Sequence, residues 1–489
     1  MFYYNKNNYY IRANNVLRNL VTTMVIIGYL AVFAYIFFLI FGIGPAVQKR
    51  TSTEISRKII HISLFFVWVL LDLFFRHTIH QIIIPICFLV LNALSYKFKL
   101  YKSVERETDN HFGTVYFAIA VTIIMTAAFF RQELFLHTGV AVFCLTFGDG
   151  FAALVGHSVK SRPVFRNKSL GGMLGCGIAT FVSLLLFRFI WMPELTVSRI
   201  LLIALLCPVL ELVPWGLDNF STTLPVLAIS YFLSVSGSAM EISLYIAAAV
   251  MLVVFAAGAI SYFGSLLAAV IVFSFSYFGG YRALVFLLIC YFSIFAVSKV
   301  RRKLRPGEKK HSRGFAQILI NGGFGTFFVI AGYFTGNNVL SVTGLVSIAG
   351  CFIDSVSSDV GTLSRKLPFD IFRWKYTQTG LSGGVSWLGT LASLAFTAIT
   401  AGLILWAAKL PGSRFFLVFA LIFSQTLIDT CLGSLVQVKY RCGSCGCLTE
   451  KRIHCGEQTV YHQGIRFVDN NMINLISAFL VCCLSLIIL

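Results

Sequence analysis

The sequence predicts an all-α, polytopic integral membrane protein with about sixteen transmembrane helices in two bundles. Of its 489 residues, 58% are hydrophobic and 12% are charged, and the mean hydropathy is +0.84. A soluble domain with an ordinary charged surface does not reach these values. Apolar runs of about 20 residues, long enough to cross a ~30 Å hydrocarbon core, recur from Val21 to the C-terminus.

The excess of 39 Lys and Arg over 19 Asp and Glu is concentrated in short loops between the apolar runs. If the runs cross the membrane alternately, six such loops share one face, which the positive-inside rule makes cytoplasmic. Binding of anionic lipid or nucleotide is a second interpretation, and no nucleic-acid partner is expected without a soluble domain. The cations of the six loops are Lys49, Arg50, Arg57, Lys58; Lys97, Lys99, Lys102, Arg106; Lys160, Arg162, Arg166, Lys168; Arg301, Arg302, Lys303, Arg305, Lys309, Lys310, Arg313; Arg365, Lys366, Arg373, Lys375; and Lys439, Arg441, Lys451, Arg452.

The first apolar run, Val21 to Val47, is too long for a signal-peptide core and is expected to be a retained helix. Counting back from the basic loops places the N-terminus outside, although Lys6, Arg12 and Arg18 precede this run. Either translocation tolerates these cations or the first span is miscounted.

The segment SVSGSAME, which ends at Glu241, separates two halves of similar length. Each half has its own basic loops and its own intramembrane acids, so domains are predicted at residues 1–240 and 241–489. The halves share no convincing direct repeat.

In the first half, the run LTFGDGFAALVGH places Asp149 inside an apolar helix, where a carboxylate is costly and by default marks a functional site. Lys58 and His61 lie three residues apart on one helical face at the start of the second span. Cations at a helix end also occur simply because they reach the interface. Carboxylates beside Lys and Arg suit a Mg²⁺–nucleotide substrate, and the absence of a GxxxxGK[ST] sequence excludes a soluble P-loop kinase. Two further acids, Glu211 and Asp218, are expected together at the cytoplasmic end of another span.

The order SRKIIH, ETDNHFGTVYF, FGDGFAALVGH, KSLGGMLG and VLELVPWGLDNFSTTLP resembles the phytol kinase and dolichol kinase family, distant relatives of the CDP-diacylglycerol synthases. The resemblance implies phosphorylation of a long prenyl alcohol, with CTP as the usual donor. It implies catalytic roles for Asp149, Lys168 and Asp218. The implied nucleotide- and phosphate-binding residues are Arg57, Lys58, His61, Ser169 and Asn219. Lys160 is a phosphate-binding candidate by its charge and its place in the basic loop. Where the family has an acidic residue after its Lys-Ser/Thr pair, this chain has Leu170-Gly171-Gly172.

In the second half, Asp354 and Ser358 lie one turn apart on one helical face, Asp359 follows, and Asp429 has a comparable depth in a later span. Asp429 alone could pair with a neighbouring helix, but several polar positions converging on one face favour an ion or phosphate site. The spacing i, i+4, i+8 predicts that Arg313, Gln317 and Asn321 line the same wall. Five more polar residues are expected at its rim and in the last span, Arg365, Lys366, Asn470, Asn471 and Asn474.

Five ordered motifs, SRGFAQILINGGFG, CFIDSVSSDVGTLSRK, QTGLSGGVSWLGTLAS, LIDTCLGSLVQVKY and GIRFVDNNMINLIS, resemble the phytyl-phosphate kinase family of membrane proteins. The resemblance implies phosphorylation of an isoprenyl monophosphate to the diphosphate, with Asp354, Asp359 and Asp429 catalytic. Members commonly have Asp-Thr-x-x-Ser-Glu, and Asp354-Ser355 with Ser358-Asp359 keeps the oxygen ligands here.

Together the two resemblances predict a bifunctional salvage enzyme that converts a prenyl alcohol to its monophosphate and then to its diphosphate at the cytoplasmic face. Mg²⁺ is the expected cofactor, with Asp149, Asp354, Asp359 and Asp429 as its ligands. The alternatives are a transporter or scramblase of a phosphorylated lipid, or one active kinase half with a structural partner half.

The loop CGSCGCLTEKRIHC stands apart from the other cysteines, which are scattered singly in apolar runs. A CxxC pair followed by His-Cys has the spacing of a tetrahedral zinc site, with Cys442, Cys445, His454 and Cys455 as ligands. Reduced thiols without a metal are the alternative interpretation.

Overall fold

The computed structural model describes residues 3–76, 78–98, 113–165, 168–213, 217–305 and 313–489. The chain divides into two compact units, Met1–Glu241 and Ile242–Leu489.

The predicted all-helical membrane class is confirmed. Among the described residues, twelve helices are long and apolar enough to cross a membrane. Three further apolar helices are shorter, so the predicted number of about sixteen spans is approximate. The strands are short and form small hairpins beside the helices.

Unit 1 is built from eleven numbered helices, two strands and the start of a twelfth helix. They are α1 (Tyr3–Phe37), which continues through a π-helical turn (Phe38–Ile43) into α2 (Gly44–Gln48), α3 (Thr53–Ser63), α4 (Phe65–Phe75), α5 (His80–Phe98), α6 (Gly113–Phe130), a 3₁₀ turn (Gln132–Leu134), α7 (Phe135–Phe143), a π-helical turn (Cys144–Asp149), α8 (Gly150–Ser158), β1 (Pro163–Phe165), β2 (Lys168–Ser169), α9 (Leu170–Ile190), α10 (Val197–Leu210), α11 (Asp218–Val235) and α12 (Ser238–Ala256).

Local sequence determines where several of these helices begin. Ser52 accepts the Ile55 N–H at the start of α3, and Thr196 accepts the Arg199 N–H at the start of α10. The core of the unit includes an aromatic cluster. In this cluster Trp68 packs between other buried rings and donates its indole N–H to Thr138 Oγ1 at 2.9 Å. Because lipid is as apolar as these side chains, close packing and such hydrogen bonds hold the helices together.

Unit 2 contains the rest of α12 and seven further helices and strands in hairpins. They are α13 (Tyr262–Tyr277), α14 (Gly280–Leu304), α15 (Phe315–Thr335), α16 (Asn338–Gly361), β3 (Phe369–Asp370), β4 (Lys375–Tyr376), α17 (Trp387–Ala408), a 3₁₀ turn (Gly412–Arg414), α18 (Phe415–Leu435), β5 (Lys439–Arg441), β6 (Leu448–Thr449), β7 (Ile453–His454), β8 (Glu457–Gln458), β9 (Val460–Gln463) and α19 (Asn470–Ile488).

Helix α16 is the central helix of unit 2. It packs against α14, α15, α17, α18 and α19 and is buried along most of its length. It begins at an Asn337 cap, and its first four turns carry small and apolar residues on every face. Its two acids, Asp354 and Asp359, lie in its last two turns, near one end of the helix.

Candidate active sites in the two units

A buried ion pair lies at the centre of the candidate site of unit 1. Lys58 Nζ on α3 donates to both carboxylate oxygens of Asp149, at 2.7 and 2.6 Å. His61 Nε2 lies 3.3 Å from Asp149 Oδ2 and 3.2 Å from the Leu145 carbonyl oxygen. The Lys58 and Asp149 side chains are only 10% and 13% exposed, so this pair is shielded from water. Two residues of the predicted basic motif therefore meet the predicted acid.

The backbone of the Gly-Asp-Gly segment explains how Asp149 reaches Lys58. Asp149 ends the π-helical turn between α7 and α8. Such turns are rare in proteins overall but are often found at functional sites. The next residue, Gly150, touches α3: a Cβ there would lie 2.2 Å from Ile62 Cγ1. Glycine is needed because only a residue without a side chain lets α8 approach α3 this closely.

A second ion pair joins the basic hairpin to a buried acid. Lys168 Nζ on β2 donates to Glu211 Oε1 at the end of α10. Burial lowers the pKa of Lys168, but the carboxylates of Glu211 and Asp149 outweigh it and raise that pKa above its usual value. Burial raises the pKa of Glu211 to about 7, against the opposing effect of Lys168. Lys168 therefore stays protonated, and Glu211 titrates near neutral pH.

The other polar residues predicted for unit 1 lie around these pairs or at the surface. Asp218 begins α11 and is half-buried; Asn219 is buried, and its Nδ2 donates to the Gly113 carbonyl oxygen at 3.4 Å. Ser169 caps α9 by accepting the Gly172 N–H at 3.2 Å. Lys58 and His61 lie within α3, whereas the other candidates lie at helix boundaries: Asp149 directly before α8, Ser169 directly before α9, Glu211 directly after α10 and Asp218 at the start of α11.

Two predicted phosphate-binding cations do not contact the Lys58–Asp149 or Lys168–Glu211 pair. Arg57 pairs with Glu54 one turn earlier at 2.6 Å, and Lys160 is exposed. Arg166 and most of the ETDNHFGTVYF motif, residues 107–112, lie outside the described residues.

The pairing of Glu211 with Lys168 was not predicted. The sequence placed Glu211 and Asp218 together at the end of one span, whereas Glu211 closes α10 and Asp218 opens α11. The only sequence signal was a single acid in the apolar run VLELVP. Both Asp149 oxygens accept from Lys58, so a Mg²⁺ ion bound there would share the carboxylate with this ammonium group, and the ligand role of Asp149 stays a prediction.

In unit 2, Asp359 is anchored to the neighbouring helix α14. Arg301 Nη1 lies 3.1 Å from Asp359 Oδ1, and Ser298 Oγ donates to Oδ2. Sequence reasoning counted Arg301 as a cation of a basic loop and did not pair it with Asp359. Arg313 lies within electrostatic range of Asp359; burial lowers the pKa of its guanidinium, and the Asp359 carboxylate partly offsets this effect.

Asp354 and Asp429 form the other acidic part of this site. Asp354 lies seven residues before the end of α16 and Asp429 six before the end of α18, so their depths are similar. The two carboxylates are within electrostatic range of each other. Ser477 Oγ on α19 donates to Asp429 Oδ2 at 3.5 Å, and no hydrogen bond from a described residue reaches the Asp354 carboxylate.

Two buried amide oxygens on adjoining helices also lack partners. Asn321 Oδ1 on α15 and Asn474 Oδ1 on α19 accept no hydrogen bond from the described residues. Helices α15, α16 and α19 pack on one another, and α18 packs on α16 and α19. A buried acceptor left unpaired is costly and needs an explanation. Carboxylate and amide oxygens are hard ligands, so the donor set of unit 2 fits Mg²⁺.

One predicted alignment in this site is wrong. The i, i+4, i+8 spacing requires Arg313, Gln317 and Asn321 to share one helix, but α15 begins only at Phe315. Arg313 precedes the helix in an extended bridge to Ile260. Its N–H donates to the Ala259 carbonyl oxygen and its carbonyl accepts the Ser261 N–H. The backbone pairing holds it outside the helix, and Gly314 occupies the N-cap position instead.

The predicted rim residues of unit 2 are mostly exposed. Asn470 and Asn471 open α19 as predicted, and Asn471 is half-buried. The exposed members are Ser358, Arg365, Lys366 and Asn470.

The Gly-rich loop before α17 is held against the hairpin region that follows α18. Ser382 N–H donates to Glu450 Oε1 at 2.6 Å, and the Ser382 carbonyl oxygen accepts from the buried Lys439 Nζ at 2.8 Å. Gly383 has φ +84°, and a Cβ there would lie 2.5 Å from Ser434 Cα. The segment LSGGVS is therefore fixed over the end of α18, near the acidic site.

The cysteine-rich loop brings its four predicted ligands together. One ligand atom from each of Cys442, Cys445, His454 and Cys455 lies within 4.8 Å of the others. No other group of three or more His, Cys, Asp or Glu side chains that could hold a metal is found among the described residues.

Comparisons with known proteins agree with a membrane protein. Residues 245–482 match the sequence model of a family described as integral membrane protein DUF92. An uncharacterized membrane protein of Methanocaldococcus jannaschii is 30% identical over 120 residues, which are 24% of this chain and 50% of that protein. The chain thus matches about half the length of this curated relative. No solved structure matches it significantly. Unit 2 therefore contains the whole matched region, and the chain is similar there to a family of integral membrane proteins.

Proposed function

We propose that the chain is a two-site membrane kinase: unit 1 phosphorylates a prenyl alcohol with CTP or another nucleotide, and unit 2 phosphorylates the resulting monophosphate. The observation that carries the proposal is that each unit has its own buried constellation of acids and cations near helix ends. The sequence resemblances described above supply the reaction class.

In unit 1, the cations suit phosphoryl transfer. Lys58 and Lys168 are oriented by buried carboxylates, so their N–H groups are positioned before a substrate binds, and the imidazole of His61 lies beside Asp149. The alcohol oxygen would form a bond to the terminal phosphorus as the bond to the nucleoside diphosphate breaks. The hydroxyl proton would pass to a carboxylate, for which Asp218, half-buried and beside Asn219, is our candidate. Catalysis would rest on positioning and charge neutralisation.

In unit 2, Asp354, Asp429 and the unpaired oxygens of Asn321 and Asn474 are the residues we assign to Mg²⁺. When bound, the cation would neutralise phosphate charge. Arg301, which Asp359 holds in place, would bind phosphate oxygens of the donor or the prenyl monophosphate.

The membrane setting suits such substrates. A prenyl chain partitions into the bilayer and leaves its hydroxyl or phosphate at headgroup depth. The candidate residues lie near helix ends beside basic segments, where both the lipid headgroup and a water-soluble nucleotide could reach them. From the positive-inside rule we assign these ends to the cytoplasmic face.

The test is a reaction of the purified full chain in lipid with Mg²⁺ and labelled farnesol, geranylgeraniol or phytol. Each nucleoside triphosphate is supplied separately, and alcohol, monophosphate and diphosphate are resolved by mass spectrometry. We expect diphosphate from the alcohol with at least one donor. Absence of every phosphorylated product from folded protein, with supplied monophosphate also unchanged, would refute the proposal.

A cation-coupled lipid transporter is the second candidate. The buried, unpaired oxygens of Asn321 and Asn474 beside intramembrane acids would also suit a passing cation. Flux of a prenyl phosphate across vesicles that depends on a cation gradient, without nucleotide turnover, would favour this function over a kinase. Formation of monophosphate alone would instead indicate one active unit with a structural partner.

A further inference from the structure

We propose that Cys442, Cys445, His454 and Cys455 bind one zinc ion that holds together the extramembrane hairpins of unit 2. This inference is independent of the proposed kinase activity. Its basis is the geometry of two hairpins that each contribute two ligands.

The distances between ligand atoms fit tetrahedral zinc. With Zn–S near 2.3 Å and Zn–N near 2.0–2.1 Å, tetrahedral angles separate S from N by about 3.6 Å and S from S by about 3.8 Å. His454 Nδ1 lies 3.5 Å from Cys445 Sγ and 3.3 Å from Cys455 Sγ. All four ligand atoms lie within 4.8 Å of one another. The site thus needs only a small contraction to reach bonding distances.

The turn between β5 and β6 places the thiols of Cys442 and Cys445 beside each other. Cys442 follows β5, and its carbonyl oxygen accepts the Gly446 N–H at 3.0 Å. Its N–H donates to the Cys447 carbonyl oxygen at 3.0 Å, and Gly446 has φ +71°. This tight turn brings Cys445 back beside Cys442. Cys447 also lies in the turn but is not part of the cluster.

The second hairpin uses a strained backbone for the same purpose. His454 ends β7 and Cys455 follows directly, so in an extended strand their side chains would point to opposite sides. Cys455 instead has φ +53°, a left-handed conformation that is costly for a residue with a Cβ and that the two-residue turn it forms with Gly456 between β7 and β8 requires. This conformation lets adjacent side chains face one centre, and a metal bond would offset its cost.

The metal would add to backbone pairing that already links these segments, because β5 pairs with both β6 and β9. Outside the cluster, Ser444 Oγ donates to Glu457 Oε2 across the two hairpins. Glu450, which accepts the Ser382 N–H of the Gly-rich loop, lies in the segment between the two pairs of ligands. The metal therefore fixes the position of Glu450 through both ends of its segment.

Metal content of the purified full chain tests the proposal. We expect about one zinc per chain in the wild type, with loss of at least ten-fold in Cys445→Ser and in Cys455→Ser. Cys447→Ser is the matched control, because it removes a thiol from the same turn but outside the cluster, and it should retain the zinc. Folded wild type without zinc, or with iron in its place, would overturn the assignment.

Thiol labelling of the wild type keeps the proposal testable if the variants misfold. A strong chelator should release the zinc and expose the three cluster cysteines to a thiol reagent. Cobalt added in place of zinc should give the visible absorption of tetrahedral cobalt with thiolate ligands. Unchanged labelling after chelation, or octahedral cobalt, would show that these residues are ordinary thiols.

Discussion

At the residue scale, the Lys58–Asp149 pair is the most consequential contact of unit 1. A buried ion pair is weak support for stability, yet removing one partner leaves an unpaired charge in a medium that cannot solvate it. Each member depends on the other, and His61 shares the same carboxylate. The pair is therefore better suited to fixing an ammonium group in place than to stabilising the bundle.

Replacing Lys58 by Met should destabilise the protein by about 3–5 kcal/mol, because Asp149 would remain buried without a cation. The double variant Lys58→Met, Asp149→Asn should recover most of that stability, since no charge is left unpaired. It should still make no prenyl monophosphate. Thermal unfolding in lipid nanodiscs measures the first effect and product analysis the second. Equal stability of the single and double variants would show that Asp149 is solvated or paired elsewhere.

Glu211 gives unit 1 a pH-dependent stability. Burial raises its pKa to about 7 in the folded protein, well above the value of an unfolded Glu near 4.3. The folded state then binds more protons than the unfolded state between these values, so stability falls as pH rises through this range and levels off above about 7. Glu211→Gln should flatten this fall in melting temperature between pH 5 and pH 7. A wild-type slope that survives in the variant would assign the titration to another group.

At the element scale, helix boundaries and helix irregularities determine where the functional side chains lie. The π-helical turn that ends at Asp149 interrupts an otherwise regular span, and Gly150 lets α8 touch α3 directly after it. Both features act on the same ion pair, so the local shape of one helix determines the geometry between two.

Gly150→Ala should weaken the first phosphorylation by disturbing this approach. Its Cβ would overlap Ile62, and relief of such overpacking typically costs about 1–3 kcal/mol. Adding Ile62→Ala should restore part of the activity because it removes the overlapping atoms. Gly402→Ala, at a helical glycine with open space around it, is the matched control and should leave activity unchanged. Failure of the second substitution to rescue would place the defect elsewhere.

The features that the sequence predicted correctly depend on residues that are close together in the chain. The apolar runs fixed the membrane class, and the CxxC and His-Cys spacing identified four side chains that the structure brings together. The residues it missed depend on long-range packing. Glu211 meets Lys168 across 43 residues of sequence, and Arg301 meets Asp359 across 58. Helical spacing misplaced Arg313 because a backbone bridge to Ile260, which no periodicity indicates, delays the start of α15.

At the scale of the whole molecule, two compact units with separate charged sites occur in one chain. Among the described residues, the candidate residues of each site belong to one unit, and they come from positions far apart in the sequence, as Lys58 and Asp149 do. If the two sites are separate, their reactions should also be separate. A substitution that inactivates one site should leave the reaction of the other intact.

This separation can be tested with two single substitutions. Asp149→Asn should reduce monophosphate formation from the alcohol by about 100-fold or more, because Lys58 loses the carboxylate that orients it. The same protein should still convert supplied prenyl monophosphate to diphosphate. Asp354→Asn should do the converse and accumulate monophosphate, because a carboxylate without a hydrogen-bonding partner among the described residues would no longer be available to a cation. Mass spectrometry of both products, at a temperature at which each variant remains folded, measures the two steps together. Loss of both steps from either substitution in folded protein would mean that the two units share one reaction centre.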